Sequence, residues 1–277
     1  MRELVYESEY FRPADALGCG QVFRYRPFRE GYLVFSAEKA CYIFESGGKT
    51  HIVVNEGDEA YFENYFDVRR DYAEIVRKAK SFGSDCLAAA AERGKGIRIL
   101  RQDAEETLFS FIVSQNNRIP RIRAVIGNIC TALGTEHTFM GEKYFSFPPA
   151  QALAEKDAKF YAALGAGYRA AYISETAKAV AKEGLGRLSS LRGKELRKEL
   201  MRYKGVGAKV ADCVALFGFS DTGAFPVDTW IEKVYREEFG GALKTRESIS
   251  AYFCEKFGTY GGFIQQYLFY DRRERGE

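Results

Sequence analysis

Between residues 31 and 54 the chain alternates with a period of two. GYLVFSAEKACYIFES and THIVVNE place β-branched and aromatic residues at every second position, and SGGK between them predicts a turn. These stretches are expected to form antiparallel strands. The period then lengthens, and DEAYFENYFDVRRDYAEIVRKAK carries its apolar residues at helical spacing. From Asp103 onward almost every segment reads as helix, including DAEETLFSFIVSQ, RIRAVIGNICTAL, AQALAEKDAKFYAAL, AAYISETAKAVAKE, KELRKELMRY, AKVADCVALFGF, DTWIEKVYREEF, SISAYFCEKF and GGFIQQYLFYD. The expected fold is α+β: an N-terminal antiparallel β-sheet domain with helices over residues 1–98, then an all-helical domain over residues 99–277. No internal repeat or low-complexity stretch stands out.

The helix at DAEETLFSFIVSQ opens with Asp103 and Glu106 spaced as a capping box, and Leu108, Phe109, Ile112 and Val113 form its apolar stripe. With 277 residues and 46% hydrophobic content there is ample chain for a large core. Lys and Arg number 41 against 38 Asp and Glu, so net charge by itself points to no polyanionic partner. The six cysteines form no CxxC pair, which predicts reduced thiols and neither a zinc nor an iron–sulfur site. His51 and His137 are far apart, so histidine catalysis is not expected. MRELVYESEYF lacks a signal-peptide core and no window reaches eighteen apolar residues, predicting a soluble, cytoplasmic protein with no membrane partner.

The chemistry concentrates in YKGVGAKVADC, Tyr203 to Cys213. A helix, the turn KGVG and a second helix make a helix-hairpin-helix pattern over roughly residues 194–219. Glycines allow positive φ, and the free N–H groups opening the second helix suit a phosphate, although an ordinary turn between helices has the same spelling. Lys209 lies in the first turn of that second helix. It is either a phosphate contact or a nucleophile. An ordinary lysine is neutral in only about one molecule in a few thousand at pH 7, a penalty of roughly 4 to 5 kcal/mol. A helix N-terminus and partial burial both favour the neutral amine. Asp228, in PVDTWIEKV, is placed to cap the helix starting at Thr229 or to stabilise positive charge developing on a sugar ring.

GVGAKVADC followed by PVD resembles the helix-hairpin-helix DNA glycosylases, and more narrowly the eukaryotic-type 8-oxoguanine DNA glycosylase/AP lyases. GQVFRY, LRQDAEETLFSFIVSQNNRIPRI, GAGYRAAYI, the hairpin and GGFIQQYLFYD occur in that family's order across nearly the whole chain. The resemblance implies an enzyme that flips 8-oxoguanine out of double-stranded DNA, opposite cytosine, and excises it. It implies that Lys209 attacks the sugar and that Asp228 supports the charge, with β-elimination through a Schiff base. A lysine at this position marks the bifunctional members; those without it activate water and only remove the base.

By the same resemblance, Phe269 stacks on the flipped base, Cys213 touches its other face and Gln265 reads its Watson–Crick edge. The carbonyl of Gly20 accepts from the N7–H that oxidation creates. Asn116 enters the space left by the extruded nucleotide, Tyr168 wedges the stack, and Arg121 and Arg169 hold the orphaned cytosine. Gly205, Val206 and Gly207 present backbone to phosphate. The carbonyls of Met201, Tyr203 and Val206 are a candidate seat for a monovalent cation; no cofactor or catalytic metal is implied. A monomer is expected, working at the nucleoid of a prokaryote or in the nucleus of a eukaryote.

Departures from the family pattern are Tyr203-Lys204 before the hairpin glycine, Trp230 two residues after the aspartate, Gln265-Gln266 in succession, and Asp271 one residue early. The absence of a four-cysteine tail argues against the iron–sulfur endonuclease branch. Two readings compete: a glycosylase for another damaged base, and a non-catalytic helix-hairpin-helix DNA-binding protein.

Overall fold

A computed structural model describes residues 1–276. The N-terminal region builds a five-stranded antiparallel sheet in the order β1-β5-β4-β3-β2. After β1 (Arg2–Glu7) comes a short helix α1 (Pro13–Gly18), then β2 (Tyr25–Phe28), β3 (Gly31–Ser36), β4 (Lys39–Ser46) and β5 (Lys49–Val54). The SGGK turn forms as expected: Ser46 pairs with Lys49, and Gly47 and Gly48 both take positive φ. The single alternating run GYLVFSAEKACYIFES is two strands joined at Ala37-Glu38, where Ala37 has φ 51°. No glycine or asparagine marks that turn.

Helices α2 (Glu59–Tyr65), α3 (Tyr72–Lys80) and α4 (Asp85–Arg93) follow. One helix was expected across residues 58–80; instead the chain breaks at Phe66–Asp71, and Asp71 caps α3 by accepting from Glu74 N. Then come α5 (Ala104–Ser114), α6 (Ile119–Leu133), β6 (Glu136–Phe139), β7 (Glu142–Phe145), α7 (Ala150–Ala154), α8 (Ala158–Ala163) and α9 (Arg169–Glu183). Among the described residues, the regular structure beyond residue 103 is therefore helical except for the β6–β7 hairpin. The expected helix at AQALAEKDAKFYAAL is likewise split, because Asp157 caps α8 from within it. The chain ends with α10 (Gly193–Leu200), α11 (Ala208–Gly218), α12 (Thr229–Glu238), α13 (Arg246–Phe257) and α14 (Gly261–Arg275).

The packing accounts for the hairpin. One face of the sheet, with Val34, Cys41, Ile43 and Ile52, packs on Phe11, Leu17, Phe62 and Phe66. The other face, with Leu33, Phe35, Ala40 and Tyr42, is covered by Phe139 and Tyr144 of β6 and β7. A sheet apolar on both sides needs two covers, and the hairpin is the second. Helices α3 and α4 bury Tyr72, Ile75, Val76, Leu87 and Ala90 in the same core as the helices beyond residue 103.

Helix α5 is the centre of that core, with every residue from Glu106 to Val113 buried. Asp103 accepts from Glu106 N at 2.9 Å as the capping box requires. The Glu106 carboxylate does not complete the box. It accepts instead from Arg24 at 2.9 Å and from Ala37 N at 2.7 Å, and Arg24 also donates to Phe145 O. This buried ion pair ties sheet, hairpin and central helix together. Nearby, fully buried Gln21 donates to Ala16 O and Arg98 O and accepts from Leu100 N. That clamp holds the loop carrying Gly20 against the strap that leads into α5.

Candidate active site

Two cavities meet at the junction of these elements. The outer one is an open cleft of about 1050 Å³, bordered by Asn116, Tyr168, Gly207, Lys209, Asp228, Trp230 and Phe269 among others. The inner one is a slot of about 40 Å³ lined by Cys213, Phe217, Pro226, Gln265 and Gln266. Gly20, Phe111, Lys209, Asp228 and Phe269 belong to both. The amine and the carboxylate thus stand where the surface groove opens into the interior. The slot is narrow and opens directly into the cleft through these shared residues.

Local structure positions each group. Met201 to Gly207 form the hairpin turn between α10 and α11, with Gly207 at the N-cap. Gly205 has φ +78°, and a Cβ there would lie 2.5 Å from the Tyr172 ring of α9, so geometry and close approach both require glycine. Val206 is buried, and its N–H donates to Tyr203 O at 3.1 Å, so one of the three carbonyls suggested for a cation already accepts a bond. Lys209 is half-buried, with its Nζ 5.2 Å from the centre of the Phe111 ring. Asp228 caps α12, its Oδ1 accepting from Ile231 N at 3.0 Å. The cap turns the carboxylate into a fixed acceptor beside the cleft.

One turn along α11 from Lys209, Cys213 is buried. Burial pushes its thiol up to about 11, against the pull of the neighbouring Lys209 ammonium. Burial therefore disfavours the thiolate form of Cys213. Gly20 has φ +86°, and a Cβ there would sit 3.3 Å from Phe269 and from Arg273 Nη1. A glycine lets the Phe269 ring close against the backbone at this point.

The residues expected to face DNA lie at the α5–α6 turn, on α6 and at the start of α9. Asn116 is exposed at φ 45°, a left-handed conformation that asparagine tolerates. Tyr168 is 55% exposed, packs edge-on against Tyr172 and donates to Gln115 O at 3.3 Å. Arg121 and Arg169 do not line the cleft. Arg121 lies on the exposed side of α6 and donates to Gly165 O at 3.4 Å. Arg169 is buried, and its guanidinium donates to the carbonyls of Gln115 and of Asn116, the latter at 2.9 Å. It braces the turn from below. Asp271 is buried and paired with Arg93 and Arg275, anchoring α14 to α4.

Sequence reading passed over Phe111, Phe217 and Arg273 and preferred Gln265 to Gln266 by its spacing to Phe269; Phe111, Phe217, Arg273 and Gln266 all lie at the cavity walls. The signal available for the first was α5 itself: apolar all round, it needed neighbours on every side. Gln266 and Arg273 carry no local signal, because a glutamine or arginine on a terminal helix usually faces water.

The sequence matches two family models in tandem. Residues 3–108 match the N-terminal domain of 8-oxoguanine DNA glycosylase, and residues 109–260 match the HhH-GPD superfamily of base excision DNA repair proteins. A probable N-glycosylase/DNA lyase of Methanothermobacter thermautotrophicus is 30% identical over 244 residues, covering 80% of this chain and 76% of that one. The N-glycosylase/DNA lyase of Saccharomyces cerevisiae is 34% identical over 213 residues, but the match spans only 56% of its length. Among solved structures, the 8-oxoguanine glycosylase/lyase of Clostridium acetobutylicum superposes with a TM-score of 0.92 at 36% identity, covering 97% of this chain and 94% of that one; it is in complex with double-stranded DNA containing cytosine opposite 8-oxoguanine. With both models matched in order along one chain and a lysine and an aspartate at the mouth of its inner slot, this chain belongs to the 8-oxoguanine DNA glycosylases of the HhH-GPD superfamily.

Proposed function

We propose that the chain is a bifunctional DNA glycosylase/AP lyase of base excision repair that removes 8-oxoguanine opposite cytosine and then cuts the strand. The observation that carries this reading is the placement of Lys209 and Asp228 at the junction of groove and slot. A duplex lying along the cleft would present one extruded nucleotide with its base in the slot and its sugar beside the lysine. The slot walls then take the roles that the family suggests: Phe269 and Cys213 against the two faces, Gln265 at the edge, and the Gly20 carbonyl toward N7–H. Undamaged guanine has a lone pair at N7, and facing that carbonyl it meets repulsion where 8-oxoguanine donates a hydrogen bond.

In the reaction, the neutral amine of Lys209 attacks C1′ while the glycosidic bond breaks and the base leaves with the bonding pair. Asp228 stabilises the positive charge that develops on the sugar. The ring then opens to a Schiff base on Nζ. Loss of a C2′ proton expels the 3′ phosphate, and water releases the lysine. On the DNA side, Gly205 to Gly207 offer backbone to phosphate, Asn116 fills the gap, and Tyr168 presses on the stack. Arg121 reaches toward the orphaned cytosine from the exposed side of α6, and Arg169 acts indirectly by bracing the Asn116 turn. The enzyme acts as a monomer on chromosomal DNA, at the nucleoid or in the nucleus according to its source.

Borohydride reduction in the presence of a duplex bearing 8-oxoguanine opposite cytosine tests the chemistry. The expected result is a covalent protein–DNA adduct that Lys209→Gln abolishes. No adduct with the unaltered protein would overturn the Schiff-base route. Excision of 3-methyladenine with 8-oxoguanine untouched would overturn the substrate.

A further inference from the structure

Helix α14 carries two adjacent glutamines, and only Gln265 has been given a part. Both are 4% exposed, and both line the inner slot. Gln266 Nε2 donates to Gln265 Oε1 at 2.8 Å. The carbonyl oxygen of Gln266 is buried with no partner. Buried side-chain acceptors are nearly always paired, so an orphan at the wall of a binding slot needs an explanation.

We propose that Gln265 and Gln266 read the extruded base as one unit, with Gln266 the second specificity-determining residue of the slot. The inference rests on the base-flipping reading above. Two amides joined by one hydrogen bond retain a carbonyl acceptor on one and N–H donors on the other. Neither can turn over alone, because that would set donor against donor or acceptor against acceptor. The bond therefore locks the direction in which Gln265 presents its amide, while Gln266 adds an acceptor of its own. A donor beside an acceptor complements the lactam edge of a guanine-type base, where the C6 carbonyl adjoins N1–H. An amidine edge, as in adenine, reverses that order and meets the locked pair mismatched.

The test uses Lys209→Gln protein, so that binding is measured without turnover. Dissociation constants are compared for two duplexes, one with 8-oxoguanine and one with an abasic-site analogue, each opposite cytosine. Adding Gln266→Met, which keeps the side-chain volume, is expected to weaken binding of the 8-oxoguanine duplex about tenfold, one hydrogen bond to the base. Binding of the abasic duplex is expected to stay within about twofold. An equal loss on both duplexes would make Gln266 merely structural, and no loss on either would remove it from base reading; each overturns the proposal.

A second measurement needs no change at Gln266. Methylating N1 of the lesion removes the donor that faces the spare acceptor, so the methylated duplex is expected to bind at least tenfold more weakly. Equal binding overturns the proposal whether or not Gln266→Met folds. If the Lys209→Gln parent binds 8-oxoguanine no better than undamaged guanine, the substrate reading itself has failed. A parent that prefers the lesion, with Gln266→Met indistinguishable from it, defeats only the inference about Gln266.

Discussion

Asp228 carries two jobs, and two substitutions separate them. Its Oδ1 caps α12 through Ile231 N, and its charge sits at the positive end of that helix and at the mouth of the slot. Asparagine is as good an N-cap as aspartate, so Asp228→Asn keeps the cap and loses only the charge–dipole contribution, about 0.5 kcal/mol. Asp228→Ala loses the cap as well, about 1 kcal/mol more. In a chain of this size each kcal/mol shifts the melting temperature by roughly 2 °C, so the expected falls are about 1 °C for Asn and about 3 °C for Ala. Catalysis should not follow that order. Removing a fixed charge that stabilises a transition state typically costs about 10²–10³ in rate, and both variants lose it equally. Thermal unfolding paired with single-turnover excision of 8-oxoguanine measures both quantities. An Asn variant that excises within about threefold of the parent would refute the electrostatic role. An Asn variant that melts as low as Ala would refute the cap as a separate contribution.

At the hairpin, Gly205→Ala forces an L-residue to φ +78° and drives a Cβ to 2.5 Å from the Tyr172 ring. The expected cost is about 2–3 kcal/mol of stability and at least a tenfold loss of affinity for undamaged duplex, read by calorimetry and fluorescence anisotropy. Unchanged duplex affinity would show that the hairpin does not grip phosphate. On α11 itself, burial raises the Asp212 carboxyl to about 7, with Arg197 and the Ser250 hydroxyl opposing the shift. The native state then holds this proton between about pH 4 and pH 7 while the unfolded chain releases it, so stability falls as pH rises through that window. Asp212→Asn is expected to remove the decline, with a melting-temperature advantage that grows from pH 5 to pH 7 and then levels off. A variant whose melting curve tracks the parent at every pH in that range would refute the account.

The period-two run, the helical stripes, the KGVG hairpin and the PVD cap were legible in the sequence because each is specified within a few residues. Propensity, capping and glycine geometry act locally, and Asp228 capping α12 is the plainest case. The breaks at Asp71 and Asp157 were less legible, since a capping residue inside an apolar pattern looks like a polar position on a continuous helix. The β6–β7 hairpin follows from the need to cover the second face of a sheet about a hundred residues earlier in the chain. Glu106 illustrates the same limit: its spacing promised a local bond to the helix start, and the buried Arg24 claimed it instead.

The sequence alone determined that a lysine opens one helix, that an aspartate opens the next, and that glycines permit the turn before them. Tertiary structure alone decided that this lysine and aspartate share the mouth of one slot with Gly20 and Phe269, from opposite ends of the chain. It also decided that Arg169 lies beneath the Asn116 turn and that Gln266 turns inward. The physical reason is range. Backbone geometry and capping are set by neighbours in sequence, whereas burial and the partner of a polar group are set by whichever distant segment packs against it.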